Sequence, residues 1–522
     1  MASRCLEGDR GNAHAAMGGT DQAAADTTAE CAISELALAV LVPASLLQMN
    51  IFSHLERSDK LNLGATCTSL LQASLAWFAE VTAVVQPGKT DVALLAAWLE
   101  RHQARLHLRI DPGDALQRES SEQERNDSLT ALPSSLVTSL TARNPLPAAV
   151  SALTALTSLV SEAIIDESLQ RDDVPLASLS THHLRPLMRL RQLRLSFNDL
   201  SGIAEELLSL PALAGLQELA LCSCKLQAMP RALSALTRLT ALNLSRSSVS
   251  ATASLATLQR LQSLEISYCG LTAAPEQLSA LTALTRLDLV YNPLAGGWQH
   301  LLALAQLFDL NIGLCGLTAL PEQVSALTAL TRLVLTGNGN MNGGWHHLLP
   351  LTQLQDLDLS WCDLLTVPEQ VSALAALNRL NLSRNGWLAG GWQHLLPLTQ
   401  LQHLDMFVCY FSAVPEQVSA LTALTYLNLC WNSPLKGGWQ HLLPLRQLQD
   451  LNLENCGLTA VPRQLSMLTA LTSLNLGLND ELAGGWRRLY QLTSLRRLVL
   501  RSFTPQSIAP RLAAMPLLHI ET

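Results

Sequence analysis

The sequence predicts an α/β solenoid of about 14 units, each 23–24 residues long, with a parallel β-sheet on its concave face and a small all-α module ahead of it. Three periodicities predict this. Trp298, Trp345, Trp392, Trp439 and Trp486 each close a Gly-Gly-Trp triplet, and each follows the last by 47 residues. Cys269, Cys315, Cys362, Cys409 and Cys456 keep nearly the same interval out of phase. Within the long period, Leu287-x-Leu289-x-x-Asn292 is followed by Leu310-x-Ile312-x-x-Cys315 and Leu333-x-Leu335-x-x-Asn338, at steps of 23. Such periods mark stacked units, each burying its apolar side only against its neighbours, so chain length sets no limit on the core.

Composition narrows the function classes. Aromatic residues are 4% of the 522 and the net charge is −8. An acidic chain without a basic stripe is a poor match for nucleic acid, so none is expected as a partner. Residues 1–35, rich in Ala, Gly and Thr with scattered acids, read as a disordered leader without a secretory pattern. The apolar stretch from Leu36 to Leu47 is interrupted by Pro43 and is too short to span a bilayer, so no membrane partner is expected. The expected location is cytoplasmic, nuclear or both.

From Leu190 the half-units recur almost without a break as L-x-x-L-x-L-x-x-(N/C)-x-L. The last inward residue of each strand runs Leu195, Leu221, Leu244, Ile266, Leu289, Ile312, Leu335, Leu359, Leu382, Met406, Leu429, Leu453, Leu476 and Leu500, and Leu518-x-Ile520 is a clipped closing unit. This pattern resembles the leucine-rich repeat family, which implies a horseshoe with parallel strands inside and a protein-binding role. Residues 86–189 are read as linker, N-terminal cap and degenerate repeats, including Leu106-x-Leu108-x-Ile110.

The periodic cysteines lie two strand spacings apart, ~9.5 Å, beyond the ~7 Å a disulfide allows between Cα atoms. They are expected to be buried thiols donating weakly to backbone carbonyls. The same spacing keeps His300, His347, His394 and His441 from converging on a metal, so no metal or cofactor is expected. Gly297 stands where the alternate half-unit has an inward aliphatic residue. The Trp column is therefore expected to fill that space on the convex side; the alternative is an exposed aromatic strip.

Residues 36–85 read as a small helical module. Pro43, Leu46, Leu47, Ile51, Phe52, Leu55, Asp59, Cys67 and Trp77 match, in order, the pattern of the F-box family, and the segment resembles that family over about 35 residues. Departures are Ser45 for Glu, one extra residue before Ile51, Lys60 for Leu and Thr66 for Val. The resemblance implies that Pro43, Leu46, Leu47, Ile51, Phe52, Leu55, Leu61 and Cys67 bind the adaptor of a cullin-type ubiquitin ligase while the repeats hold a target. The alternative is a leucine-rich-repeat scaffold whose N-terminal helices only cap the solenoid. Neither reading makes the chain an enzyme. Ala83-Val-Val-Gln-Pro-Gly88-Lys89-Thr90, between a strand-like and a helix-like run, imitates a phosphate loop. It lacks the first glycine, and Pro87 removes a backbone donor the cradle needs.

The expected binding face is the outward side of the strands. Two positions after the last inward residue stand Phe197, Tyr268, Tyr291, Trp361 and Trp431, aromatic anchors on a concave rim. Between the inward leucines runs an acidic row, Glu265, Asp288, Asp358 and Asp405, interleaved with Asn311, Asn381, Asn428 and Asn452. One column over, Arg286, Asp309, Arg332, Asp356 and Arg379 alternate in sign and are expected to pair with one another. Tyr268, Tyr291, Asp288, Trp361, Asp358, Asp405 and Trp431 are thus the candidate target-binding residues, for a partner with basic and apolar groups.

Overall fold

The computed structural model describes residues 40–41, 80–110, 121–143, 146–162, 177–178, 180–249, 252–501 and 518–521. The chain divides into two compact units, Met1–Ser158 and Leu159–Thr522. The adaptor-binding residues implied by the F-box resemblance, Pro43 to Cys67, lie outside the described residues. Among the described residues, no helix is long and apolar enough to cross a membrane.

In the first unit, strands Glu80–Val85, Arg105–Ile110 and Val137–Arg143 pair in parallel, and Val40–Leu41 pairs antiparallel with the first of them. Helices Val92–His102 and Glu122–Thr130 connect the parallel strands. The strands follow from strict alternation: Val81, Ala83 and Val85 point inward, as do Leu106, Leu108 and Ile110. Asp91 starts the first helix by accepting from the backbone N–H groups of Ala93 and Leu94, and a reciprocal Ser121–Glu124 capping box starts the second. Val40–Leu41 and Glu80–Val85 lie inside the range read from sequence as helical, so the helical reading fails for those residues. The turn after Val85 is closed by Lys89 and Thr90 N–H donating to the Gln86 carbonyl, and by Gln86 N–H donating to the Thr90 hydroxyl. Those amides point into the turn, which is no phosphate cradle.

The second unit is a ladder of three-residue strands, from Gln192–Arg194 to His519–Glu521, fifteen among the described residues. Every neighbouring pair is parallel and in register, Leu opposite Leu. The last pair sets Leu498 against Ile520, so the clipped unit does form the final rung. The return segments are 3₁₀ turns such as Glu322–Ala326 and Trp345–Leu348. Their apolar residues recur every third position, and a 3₁₀ helix stacks i over i+3. The same i→i+3 bonding runs on through Leu327 and Leu330, so Val324, Leu327 and Leu330 all point into the core, where the strand residue Leu333 joins them, each at most 1% exposed. Ser325 tightens its turn by donating to the Glu322 carbonyl, and Ser279, Ser372 and Ser419 do the same in their rungs.

Two kinds of rung alternate. In one, Asn292, Asn338, Asn385, Asn432 or Asn479 sits fully buried at the bend. Asn385 is typical: its amide donates to the carbonyls of Leu359 and Leu382, and its oxygen accepts from the N–H groups of Cys362 and Leu364. It thereby stitches its own rung to the one before. In the other kind the thiol of Cys269, Cys315, Cys362, Cys409 or Cys456 donates to a carbonyl of the preceding rung at 3.2–3.5 Å, as the sequence suggested.

The Gly-Gly-Trp triplets add a second stitch at the same joints. Gly343, Gly390, Gly437 and Gly484 form parallel bridges to Ala319, Thr366, Ala413 and Ala460 of the preceding cysteine rung. The following glycine takes a left-handed φ of +75° to +84° at all five triplets. A Cβ on Gly391 would sit 2.5 Å from the backbone N and O of Val367. This corrects the sequence reading: the second glycine is required by backbone approach and positive φ, not by room for an indole. The tryptophans that follow are half-buried and open the 3₁₀ turns.

Candidate functional site

The strands expose two columns, their first and third residues, and a third column follows at the bend. That third column runs Phe197, Ser223, Arg246, Tyr268, Tyr291, Leu314, Gly337, Trp361, Arg384, Val408, Trp431, Asn455 and Leu478, and every member has φ between +49° and +75°. Left-handed backbone disfavours most of these residue types. The ladder compensates, because each N–H in the column donates to a carbonyl of the next rung: Tyr268 to Val290, Trp361 to Ser383, Trp431 to Glu454. Bend and side chain are thus fixed together, and the rim is rigid by construction.

Tyr268, Tyr291, Trp361 and Trp431 are 38%, 51%, 53% and 45% exposed. Tyr268 and Tyr291 stack at 4.0 Å between ring centroids, with the Arg246 guanidinium 4.4 Å from the Tyr268 ring. Arg384 lies between Trp361 and Phe407, at 4.6 and 4.8 Å. The structure therefore brings the first two predicted anchors together and holds Trp361 in a separate cation–π sandwich.

The acidic row is less available than the sequence reading supposed. Asp288, Asp358 and Asp405 each accept, through Oδ1, the N–H two residues on, in Val290, Ser360 and Phe407. Each also accepts from the side-chain amide of the next rung's Asn311, Asn381 or Asn428. Asn311, Asn381, Asn428 and Asn452 close the same local turn. Asp and Asn alternate here because each Asn can donate to the preceding Asp while still capping its own turn. Burial, with Asp358 nearby, holds the Asp405 carboxyl above the ordinary carboxylate range, and burial does the same to Asp450.

In the first column Arg332 bridges Asp309 and Asp356 at 3.2 and 3.3 Å, the expected self-pairing. Arg286 departs from it, with its guanidinium 5.3 Å from the Phe308 ring. Arg497 closes the far end with a bidentate pair to Glu521 at 2.7 and 3.1 Å. Burial pushes the thiols of Cys362, Cys409 and Cys456 up to about 12, so they are inert at neutral pH. Among the described residues, no three His, Cys, Asp or Glu side chains converge as metal ligands.

Three surface residues escaped the sequence reading. Trp387, Leu365 and Tyr410 are 74%, 67% and 66% exposed, and the Tyr410 ring lies over Gly386, whose Cβ position is 3.0 Å from Cδ2. A signal existed. The step from Leu382 to Met406 is 24 residues where Leu289 to Ile312 is 23, and Trp387 occupies the loop lengthened by that extra residue.

No family model and no curated protein matches the sequence. Solved structures do. A leucine-rich-repeat protein from Leptospira interrogans is 22% identical with a TM-score of 0.53, over 72% of this chain and 97% of that one. An internalin from Listeria monocytogenes is 21% identical over 62% of this chain and 83% of that one, TM-score 0.44. The TLR13–ssRNA13 complex is 19% identical over 80% of this chain and 57% of that one, TM-score 0.47. With its in-register Leu ladder, its Asn and Cys bends and its 3₁₀ returns, the chain has the leucine-rich-repeat solenoid fold.

Proposed function

We propose that this chain is a non-catalytic protein-binding solenoid that holds a target against its sheet face. One observation carries the reading: the inward residues of the ladder barely change from rung to rung, while the first-column residues and the rim vary and stay exposed or half-buried. Packing fixes the former; a folded scaffold alone gives no reason for large aromatics among the latter. The test is a photo-crosslinking residue placed at Tyr291, on the face, or at Gln393, on the back, in the full chain. Adducts with one protein from Tyr291 and none from Gln393 support the reading. Equal labelling from both positions overturns it.

The finer reading is a substrate receptor of a cullin-type ubiquitin ligase, in the cytoplasm or nucleus, with the F-box-like residues Pro43 to Cys67 holding the adaptor. It rests on the order and spacing of those residues. Any ligase activity would belong to the complex. Adaptor binding by wild type, lost in an Ile51→Ala/Phe52→Ala/Leu55→Ala variant whose circular dichroism is unchanged, is the expected result. No binding by folded wild type leaves the scaffold reading alone.

A further inference from the structure

The aromatic groups on the rim are not evenly spread. Trp361, Leu365, Trp387, Tyr410 and Trp431 all lie in four successive rungs, in the loops leaving the C-terminal ends of the strands, and all are 45–74% exposed. Three strand spacings at ~4.8 Å make this strip ~14 Å long. Exposed apolar groups gathered in this way mark an interaction site.

The hydrogen-bonding character of the strip says what fits it. At the bend positions of these rungs the backbone donors are engaged: the N–H groups of Trp361, Arg384, Val408 and Trp431 donate to Ser383, Phe407, Cys430 and Glu454. Those of Cys362 and Leu364 donate to Asn385, and that of Cys409 to Asn432. A strand laid along those bend positions would find no ladder to join. The groups that remain are flat rings bearing indole N–H and phenol O–H, none of them hydrogen-bonded among the described residues. Such a surface offers donors and π faces, and suits a ligand rich in carbonyl acceptors and poor in N–H. An amphipathic helix satisfies its own backbone and would leave those donors unanswered. A polyproline II segment matches, because proline has no N–H and its carbonyls point outward unpaired. At ~3.1 Å per residue, ~14 Å accommodates four to five residues. Asp363 is exposed beside Trp361 and carries negative charge at the strip's edge, in a chain of net charge −8.

We propose that the Trp361–Trp387–Tyr410–Trp431 strip binds a proline-rich segment that carries a basic residue at one end, as the partner chemistry of the protein-binding reading above. Docking of polyproline II ligands on aromatic surfaces is an established recognition mode in unrelated folds. Here the platform is assembled across rungs, and Arg384 between Trp361 and Phe407 fixes one of its rings.

The test uses the full chain and fluorescein-labelled Pro-Pro-Pro-Pro-Pro-Arg, read by fluorescence anisotropy, beside the same peptide with Ala for Pro. Saturable binding of the proline peptide is expected, weakened about tenfold or more by Trp387→Ala and by the alanine peptide. Met188→Ala, which removes an exposed residue elsewhere (62% exposed), should bind like wild type. Because Trp387 is exposed, its variant should melt with the wild type. The proposal is overturned by no saturation with the proline peptide, by equal binding of both peptides, or by an unaffected Trp387→Ala variant. Trp387-dependent binding of a neutral hexasaccharide in place of the peptide overturns it too, in favour of a sugar platform. Failure here with crosslinks still confined to Tyr291 sinks the ligand class alone, whereas failure of both sinks the binding-face reading as well.

Discussion

Asn385 shows how much of this fold rests on single buried groups. Replacing it with Ala strands the N–H groups of Cys362 and Leu364 and the Leu359 carbonyl, the Leu382 carbonyl keeping the Cys409 thiol, and each buried unpaired group costs ~1–3 kcal/mol. Asn385→Ala should therefore lose about 3–5 kcal/mol in denaturant unfolding. Where the pattern lapses the effect should reverse. The third rung has Ser247 in the Asn slot, buried with its hydroxyl unpartnered, so Ser247→Asn should raise the melting temperature. Asp405 makes a prediction about pH. Its carboxyl titrates above its unfolded value, so its ionisation opposes folding. Stability is gained as pH falls through the folded pKa, and the gain is complete below the unfolded value near ~3.9. Asn occupies the same position in the neighbouring rungs and closes the same turn. Asp405→Asn should thus melt higher than wild type at pH 7, with the difference vanishing towards pH 4. A variant that melts lower at pH 7 would show that the charge contributes to the turn.

At the scale of the element, the two glycines of each triplet have different tasks and can be separated. Gly391→Ala forces a Cβ onto the Val367 backbone at positive φ, and should destabilise by about 2–4 kcal/mol. Gly390→Ala meets only the Thr366 methyl at 3.6 Å and should stay within ~0.5 kcal/mol. Equal losses from both would mean that the bridge itself, rather than backbone approach, is what the glycines serve. Strand positions, the closing rung and the thiol–carbonyl contacts were legible because each follows from period and burial, which the sequence prints directly. The role of the second glycine was not, since it depends on a φ value and a contact to a residue 24 positions earlier. The acidic row was half legible: its place on the sheet face followed from alternation, but the Asn311–Asp288 pairing needs both the register and the turn geometry. Trp387 was not legible because the 47-residue period conceals a one-residue insertion within it.

For the second unit as a whole, the joints between rungs are unequal. A cysteine rung is tied to the following Asn rung by three hydrogen bonds of the buried Asn, as Asn385 makes to Leu359, Cys362 and Leu364, and by a glycine bridge. An Asn rung meets the following cysteine rung with a thiol contact in place of both. Energetics in such arrays are sums of unit and nearest-neighbour terms, so the cooperative unit should be the pair. Excising one 47-residue period, for instance residues 346–392, should leave a soluble, two-state protein. Excising a single rung would set two Asn rungs side by side with no cysteine loop for the glycines to bridge, and should lower the melting temperature far more. The same inequality has a mechanical meaning. Pulled from its ends, the array should yield at the thiol joints and pay out slack in quanta of 47 residues. At ~3.4 Å per residue each quantum is ~160 Å, a sawtooth an optical trap can count, whereas equal joints would give steps of half that length.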